Sequence, residues 1–189
     1  MKFGYTGEYD ATAHGLVPAT VTVDNVAQDP DQTFSRTDGF SDAHTFDLTG
    51  AEVFRVALPP ESVTVEGVDL DVYVYNPSGQ QVASSGAPDT DEEVTINRPA
   101  PGVWTVYIHG WQTVNPTADY TMWSWIVSAT PGGNLVIDNE PADAVIATTG
   151  TIDVSWTGAT AGQWHLGAVR HNGPEGSHLG RTLVEVDNR

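Results

Sequence analysis

The sequence predicts an all-β protein, a jelly-roll or β-sandwich domain joined to a second, smaller immunoglobulin-like or fibronectin-III-like β unit. Three observations carry that expectation. Short runs of alternating apolar and polar residues recur between Gly, Pro, Asn and Asp, the signature of half-buried strands. No stretch repeats apolar residues at helical spacing long enough to build a helix. The 189 residues are 39% hydrophobic and include 6 Trp, enough for the core of one domain with a small companion.

The elements follow in order. Tyr5 to His14 reads as an N-terminal strand, and TVTVDNV (20–26) as the next. Gln28 to Asp42 is polar and has little periodicity, so a surface loop is expected, tied down by a metal ion or by the sandwich. Strands are then expected at AEVFRVAL (51–58), DLDVYVYN (69–76), EVTIN (93–97), VWTVYIHGW (103–111) and YTMWSWIVS (120–128). Turn signals separate them at Asn76-Pro77-Ser78-Gly79 and Pro99-Ala100-Pro101-Gly102. Beyond Pro131-Gly132-Gly133 come NLVIDN (134–139), TIDVSW (151–156), HLGAVR (165–170) and TLVEV (182–186). The expected domains are therefore 18–130, a sandwich, and 134–189, a smaller unit. The second is thin for a sandwich without disulfides. Either it packs on the first, or strands from 1–17 complete it and the larger domain is an insertion.

Charge excludes several partners. The formal net charge is −18, which opposes nucleic-acid phosphates and anionic lipid. No apolar run approaches a membrane span. There is no Cys, hence no disulfide or thiol chemistry. The first residues, MKFGYTGEYD, lack the charged start and apolar stretch of a secretory signal. Most of the charge, −14, falls before Pro131.

Two patterns carry candidate chemistry. In GVDLDVYVYNPSGQQVASSG (67–86), alternation puts Leu70, Val72 and Val74 on one face and Asp69, Asp71, Tyr73 and Tyr75 on the other. Asp69 and Asp71 would project together near the acidic run Asp89 to Glu93. Carboxylates crowded on one side repel unless a cation lies between them, and calcium, with six to eight oxygen ligands, suits such a cluster; a solvated acidic rim is the other reading. The second pattern is aromatic. Tyr107, His109 and Trp111 oppose Trp104, Val106 and Ile108, while Trp123 and Trp125 share a face opposite Tyr120 and Met122. One aromatic set is expected in the core and the other under the second unit or on an exposed platform. His165, His171 and His178 form no recognisable set, and a surface loop is expected around HNGPEGSH. No HExxH, GxSxG or Walker-type loop occurs, and the acids lie mostly in polar, turn-like contexts.

VDLDVYVYNPSGQQVASSG, followed by EEVTINRPAPGVWTVYIHGW, resembles the bacterial pre-peptidase C-terminal domain, with its Asp-x-Asp-aliphatic-Tyr-Val strand and Pro-x-Gly-x-aromatic hairpin arm. The wider frame, AQDPDQTF through ADYTMWSWIV to LGRTLVEVD, resembles the C-terminal region of secreted subtilisin-like serine proteases of actinobacteria. Proprotein-convertase P domains share a looser form of the pattern. The catalytic blocks of a subtilase, His-Gly-Thr-His and Gly-Thr-Ser-Met-Ala, are absent. The resemblance implies a non-catalytic, extracellular accessory module with no catalytic residues of its own. Its partner would be protein substrate or the parent catalytic domain, with no nucleic acid and no membrane. It also implies calcium, with Asp69, Asp71, Asp91 and Glu92 as the matching ligands. Tyr73, Tyr75, Tyr107, Trp111 and Trp123 are the candidate substrate contacts. A carbohydrate-binding sandwich is the alternative, and a two-carboxylate hydrolase a third possibility.

Overall fold

A computed structural model describes all residues, Met1–Arg189. Strands hold 57% of the chain and helix 3%. The helical part is confined to single turns at Pro60–Ser62 and Pro174–Gly176, so the protein is all-β. In chain order the strands are β1 (Gly7–Glu8), β2 (Asp10–Pro18), β3 (Thr20–Ala27), β4 (Ser41–Asp47), β5 (Ala51–Leu58), β6 (Asp69–Tyr75), β7 (Gln81–Ser85) and β8 (Glu92–Asn97). They continue as β9 (Val103–Gln112), β10 (Thr117–Ser128), β11 (Leu135–Asn139), β12 (Asp143–Ala144), β13 (Asp153–Trp156), β14 (Trp164–Asn172) and β15 (His178–Asp187). The chain divides into two compact units: a flanking unit of Met1–Ala19 with Val127–Arg189, and an insert unit, Thr20–Ile126.

The insert unit is a sandwich of two four-stranded antiparallel sheets, ordered β3-β10-β5-β8 and β4-β9-β6-β7. Its core follows from the period-two pattern. Leu70, Val72 and Val74 on β6 and Val106 and Ile108 on β9 are fully buried. They meet Phe54, Val56 and Leu58 of β5 and Tyr120 and Met122 of β10 in one apolar cluster. Each fully buried aliphatic or aromatic side chain contributes about 1.5–3 kcal/mol. The β6–β7 hairpin closes where the sequence placed its turn. Asn76 Oδ1 accepts from the backbone N–H groups of Ser78 and Gln80, both at 3.0 Å. Gly79 supplies the left-handed backbone, φ +75°, that a side chain would resist.

The flanking unit has a three-stranded sheet, β15-β14-β2, and the two-stranded pairs β11-β13 and β1-β12. Phe3, Tyr9, Leu16, Leu135, Ala144 and Val169 form its core. One sequence expectation is corrected here. His171, the first residue of HNGPEGSH, lies on β14 and is buried, not in a surface loop; His165 lies on the same strand, as expected, and is buried too. The loop around Pro174–Gly176 begins only after Asn172 and ends at His178. His171 is a core histidine held at both ring nitrogens, by Tyr9 Oη at 2.8 Å and Thr182 Oγ1 at 2.9 Å. Tyr9 can reach it because β2 pairs with β14, setting Ala11 opposite His171.

Candidate functional site

The outer face of the β4-β9-β6-β7 sheet gathers most of the chemistry. Because β6 buries Leu70, Val72 and Val74, Asp69, Asp71, Tyr73 and Tyr75 point the other way. On β9 the same alternation turns Tyr107, His109 and Trp111 outward. The antiparallel register sets Asp71 opposite His109 and Tyr73 opposite Tyr107. The face thus has an acidic end and an aromatic end.

At the acidic end, Asp69 and Asp71 are buried, each 7% exposed. With Ser85, Asp89 and Trp111 they line a cavity of about 680 Å³. Glu92 is also buried, whereas Asp91 is exposed. Burial, and then the charges of Asp71, Glu92 and Asp89, push Asp69 up to about 6. Burial likewise raises Glu92, although hydrogen bonds from Ser85 and from the Ala87 backbone N–H oppose it. Asp69 Oδ1 and Glu92 Oε2 have no hydrogen-bond partner. Such orphaned oxygens are costly in a low-dielectric setting.

A strap, residues 28–40, crosses this face. Its root is polar. Gln28 Nε2 donates to the carbonyls of Asp29 (2.7 Å) and Trp111 (2.9 Å), and Asp29 N–H donates to the Gly110 carbonyl (2.8 Å). The Asp29 carboxylate, on a residue 1% exposed, accepts from the N–H groups of Asp31 and Thr33 and from His109 Nε2 at 2.8 Å. His109 Nδ1 faces Asp71 Oδ2 at 3.3 Å. A carboxylate accepts and does not donate, so both contacts are hydrogen bonds together only when the ring is protonated. Burial lowers the His109 pKa, but the hydrogen bonds to Asp71 and Asp29 outweigh it and hold the pKa above the ordinary value. Burial raises Asp29, but the hydrogen bonds from His109, Asp31 and Thr33 prevail and hold it below the ordinary carboxylate value.

At the aromatic end, Phe34 of the strap stacks on Tyr73, with centroids 3.8 Å apart and planes 10° off parallel. It meets Tyr107 edge-on at 5.7 Å. The Arg36 guanidinium lies 4.8 Å over the Tyr75 ring, and Tyr75 and Tyr107 stand at 83°. Burial and the adjacent Asp71, which accepts from the Tyr73 hydroxyl at 3.2 Å, raise Tyr73 to about 12.

The structure therefore brings Asp69, Asp71, Tyr73, Tyr75, Tyr107 and Trp111 to one face. Trp123 lies on β10, in the opposite sheet, and is not part of it. Of the acidic run Asp89 to Glu93, Asp89 and Glu92 act on Asp69, while Asp91, a candidate ligand, is exposed. Sequence reasoning missed Asp29, Phe34, Arg36 and His109, although the length of polar loop 28–42 marked the strap. A separate group, Asp24, Asp42 and His44, has ligand-type atoms within 4.8 Å of one another. Asp42 and His44 are joined through the Tyr120 hydroxyl, 2.6 Å from Asp42 Oδ2 and 2.7 Å from His44 Nε2, and Asp24 Oδ1 accepts from the Asn25 N–H.

Known proteins resemble this unit. Residues 40–110 match the sequence profile of the bacterial pre-peptidase C-terminal domain, so such a domain is present over β4 to β9. Pyrolysin of Pyrococcus furiosus is 35% identical over 82 residues, 41% of this chain and 6% of that protein. The chain thus spans a small fraction of that relative's length. Among solved structures, the pre-peptidase C-terminal domain of a Bacillus anthracis collagenase aligns over 57% of this chain and 89% of its own, at 15% identity and a TM-score of 0.41. A Bacillus licheniformis lipase in propeptide form aligns over 98% of this chain and 41% of its own, at 10% identity and a TM-score of 0.28. Domains of the matched kind occur in the C-terminal regions of proteases.

Proposed function

We propose that the chain is a non-catalytic accessory module of a longer, secreted protease, and that the outer face of the β4-β9-β6-β7 sheet holds protein substrate for it. The observation that carries this is the convergence of Tyr73, Tyr75 and Tyr107 on one face of the unit that matches a protease-associated domain. Aromatic rings with polar tips grip a polypeptide by stacking and by hydrogen bonding together. The Tyr75 and Tyr107 rings stand nearly perpendicular. They do not give the flat row that would suit a polysaccharide. Retention of the whole chain on insoluble aggregated casein tests the reading. The wild type is expected to be retained, and absence of retention overturns it.

The acidic end is the proposed calcium site. The donors are hard oxygens, and the orphaned Asp69 Oδ1 and Glu92 Oε2 are atoms a dication would satisfy. Asp69 and Asp71, which line the cavity with Asp89, would hold the ion, with Glu92 acting on them from nearby; exposed Asp91 stands outside the buried group. The ion would supply charge neutralisation and rigidity. Calcium is expected to raise the melting temperature by mass action and a chelator to reverse it. In chelator Asp69 contributes a pH slope. Its folded pKa lies above the ordinary 3.8, so ionising it costs stability as pH rises from about 4 to about 6, on the order of 2 kcal/mol. Asp69→Asn is expected to stabilise the chelated protein at pH 7 and to abolish the calcium response. Superimposable melts with calcium and with chelator would reject the site.

A further inference from the structure

The strap occupies the face that the proposed function assigns to substrate. Phe34 covers Tyr73 and Arg36 covers Tyr75. The match is one of spacing as well as chemistry. Phe34 and Arg36 are two residues apart, as are the tyrosines beneath them, which share a face of β6 at a pitch of about 6.6 Å. The strap thus lays an aromatic ring and then a guanidinium on successive outward positions of the strand.

The way the strap is held also differs along its length. Its root is pinned by Gln28 and by buried Asp29. Its far end is pinned where Gly110 N–H donates to the Phe40 carbonyl at 3.1 Å. Gln32 Nε2 adds to the root by donating to the Trp111 carbonyl at 3.2 Å; beyond it Ser35 and Thr37 bond each other and Asp38 Oδ1 accepts from the Phe40 N–H, all within the strap. The central segment therefore rests on ring stacking and a cation–π contact, both individually weak, between two firm anchors.

We propose that Phe34 and Arg36 are a resident stand-in for the ligand. The face takes extended peptide segments carrying an aromatic residue and, two positions later, an arginine, and the centre of the strap must lift away for them to bind. The net charge of −18 favours a basic segment over an acidic one. Because the stand-in is tethered, it competes at high effective concentration, and the apparent affinity for a true ligand falls by the fraction of molecules whose face is open. This inference rests on the reading that the face binds protein.

The test uses the full chain and the peptide Gln-Thr-Phe-Ser-Arg-Thr, which copies residues 32–37, with isothermal titration as the readout. The Phe34→Ser/Arg36→Ser double variant is expected to bind the peptide about tenfold more tightly than the wild type. A control peptide with Ala in place of both Phe and Arg is expected to bind neither protein. Equal peptide binding by both proteins, no binding by the variant, or equal binding of the control peptide would overturn the inference. If the wild type is nevertheless retained on aggregated casein, the stand-in idea fails while the protein-binding reading survives; if it is not retained, both fail. Should the double variant not fold, the exposed Arg36→Gln substitution gives the same comparison. A gain of about threefold is then expected, and no gain overturns the inference.

Discussion

Replacing His109 with alanine is expected to destabilise the insert unit by about 3–5 kcal/mol, the range for removing one partner from a buried ion pair. His109 is fully buried between Asp29 and Asp71. Its loss leaves the two carboxylates facing each other with no cation between them and frees the root of the strap. For a unit of this size the melting temperature should fall by roughly 10 °C or more. A pH signature separates this from simple loss of packing. The folded pKa of His109 lies above the ordinary 6.5. Its contribution is therefore fully present below pH 6.5 and is lost as pH rises through the folded value. Urea denaturation of the wild type should show that loss on the alkaline side of 6.5, and His109→Ala should be weaker and lack this component. Equal stability of the two proteins at pH 6 would show that the bridge contributes nothing.

The second large effect is expected at Gly110. A β-carbon there would lie 2.2 Å from the Ala27 carbonyl oxygen and 3.1 Å from its carbon. Backbone cannot yield as a flexible side chain can, so Gly110→Ala must move either β9 or the end of β3. Overpacking of this kind costs about 3 kcal/mol or more. The adjacent Asp29 N–H bond to the Gly110 carbonyl and the Asp29–His109 contact should weaken with it. Denaturant titration checks the loss. Gly50→Ala supplies a contrast, because that glycine also lies in the insert unit yet has nothing within 4 Å of its β-carbon position. Its cost is limited to the strain of a positive φ, +78°. Equal costs at the two positions would mean that the close approach is not what requires glycine at 110.

The parts of this structure that sequence reveals are those governed by period. DLDVYVY announces its two faces because alternation on a strand is rigid, so the inward Leu70, Val72 and Val74 and the outward Asp69, Asp71, Tyr73 and Tyr75 could be assigned residue by residue. The Asn76–Gly79 turn was equally legible, since its side-chain and glycine requirements are local. What sequence hid was long-range and aperiodic. Nothing in QDPDQTFSRT says that Asp29 will meet His109 or that Phe34 will lie on Tyr73. Those contacts depend on where an irregular segment is pinned, and the pins lie about 80 residues away along the chain. His109 looked like one outward residue among several on β9, because its role arises from two carboxylates on other segments. Trp123 was misgrouped for a related reason: alternation gives the face of a strand but not which sheet the strand joins. His171 shows the same limit in the flanking unit, where tertiary packing, and not the nearby Gly-rich loop, sets its surroundings.

The most direct measurement is the retention of three full-length proteins on insoluble aggregated casein under identical conditions. These are the wild type, the Tyr75→Ala/Tyr107→Ala double variant, and Val23→Ser, which alters an exposed residue in the other sheet of the same unit. If the tyrosine face holds protein, the wild type and Val23→Ser should be retained alike and the double variant about tenfold less, with all three folded by thermal melt. Equal retention of all three, or no retention of the wild type, would contradict it.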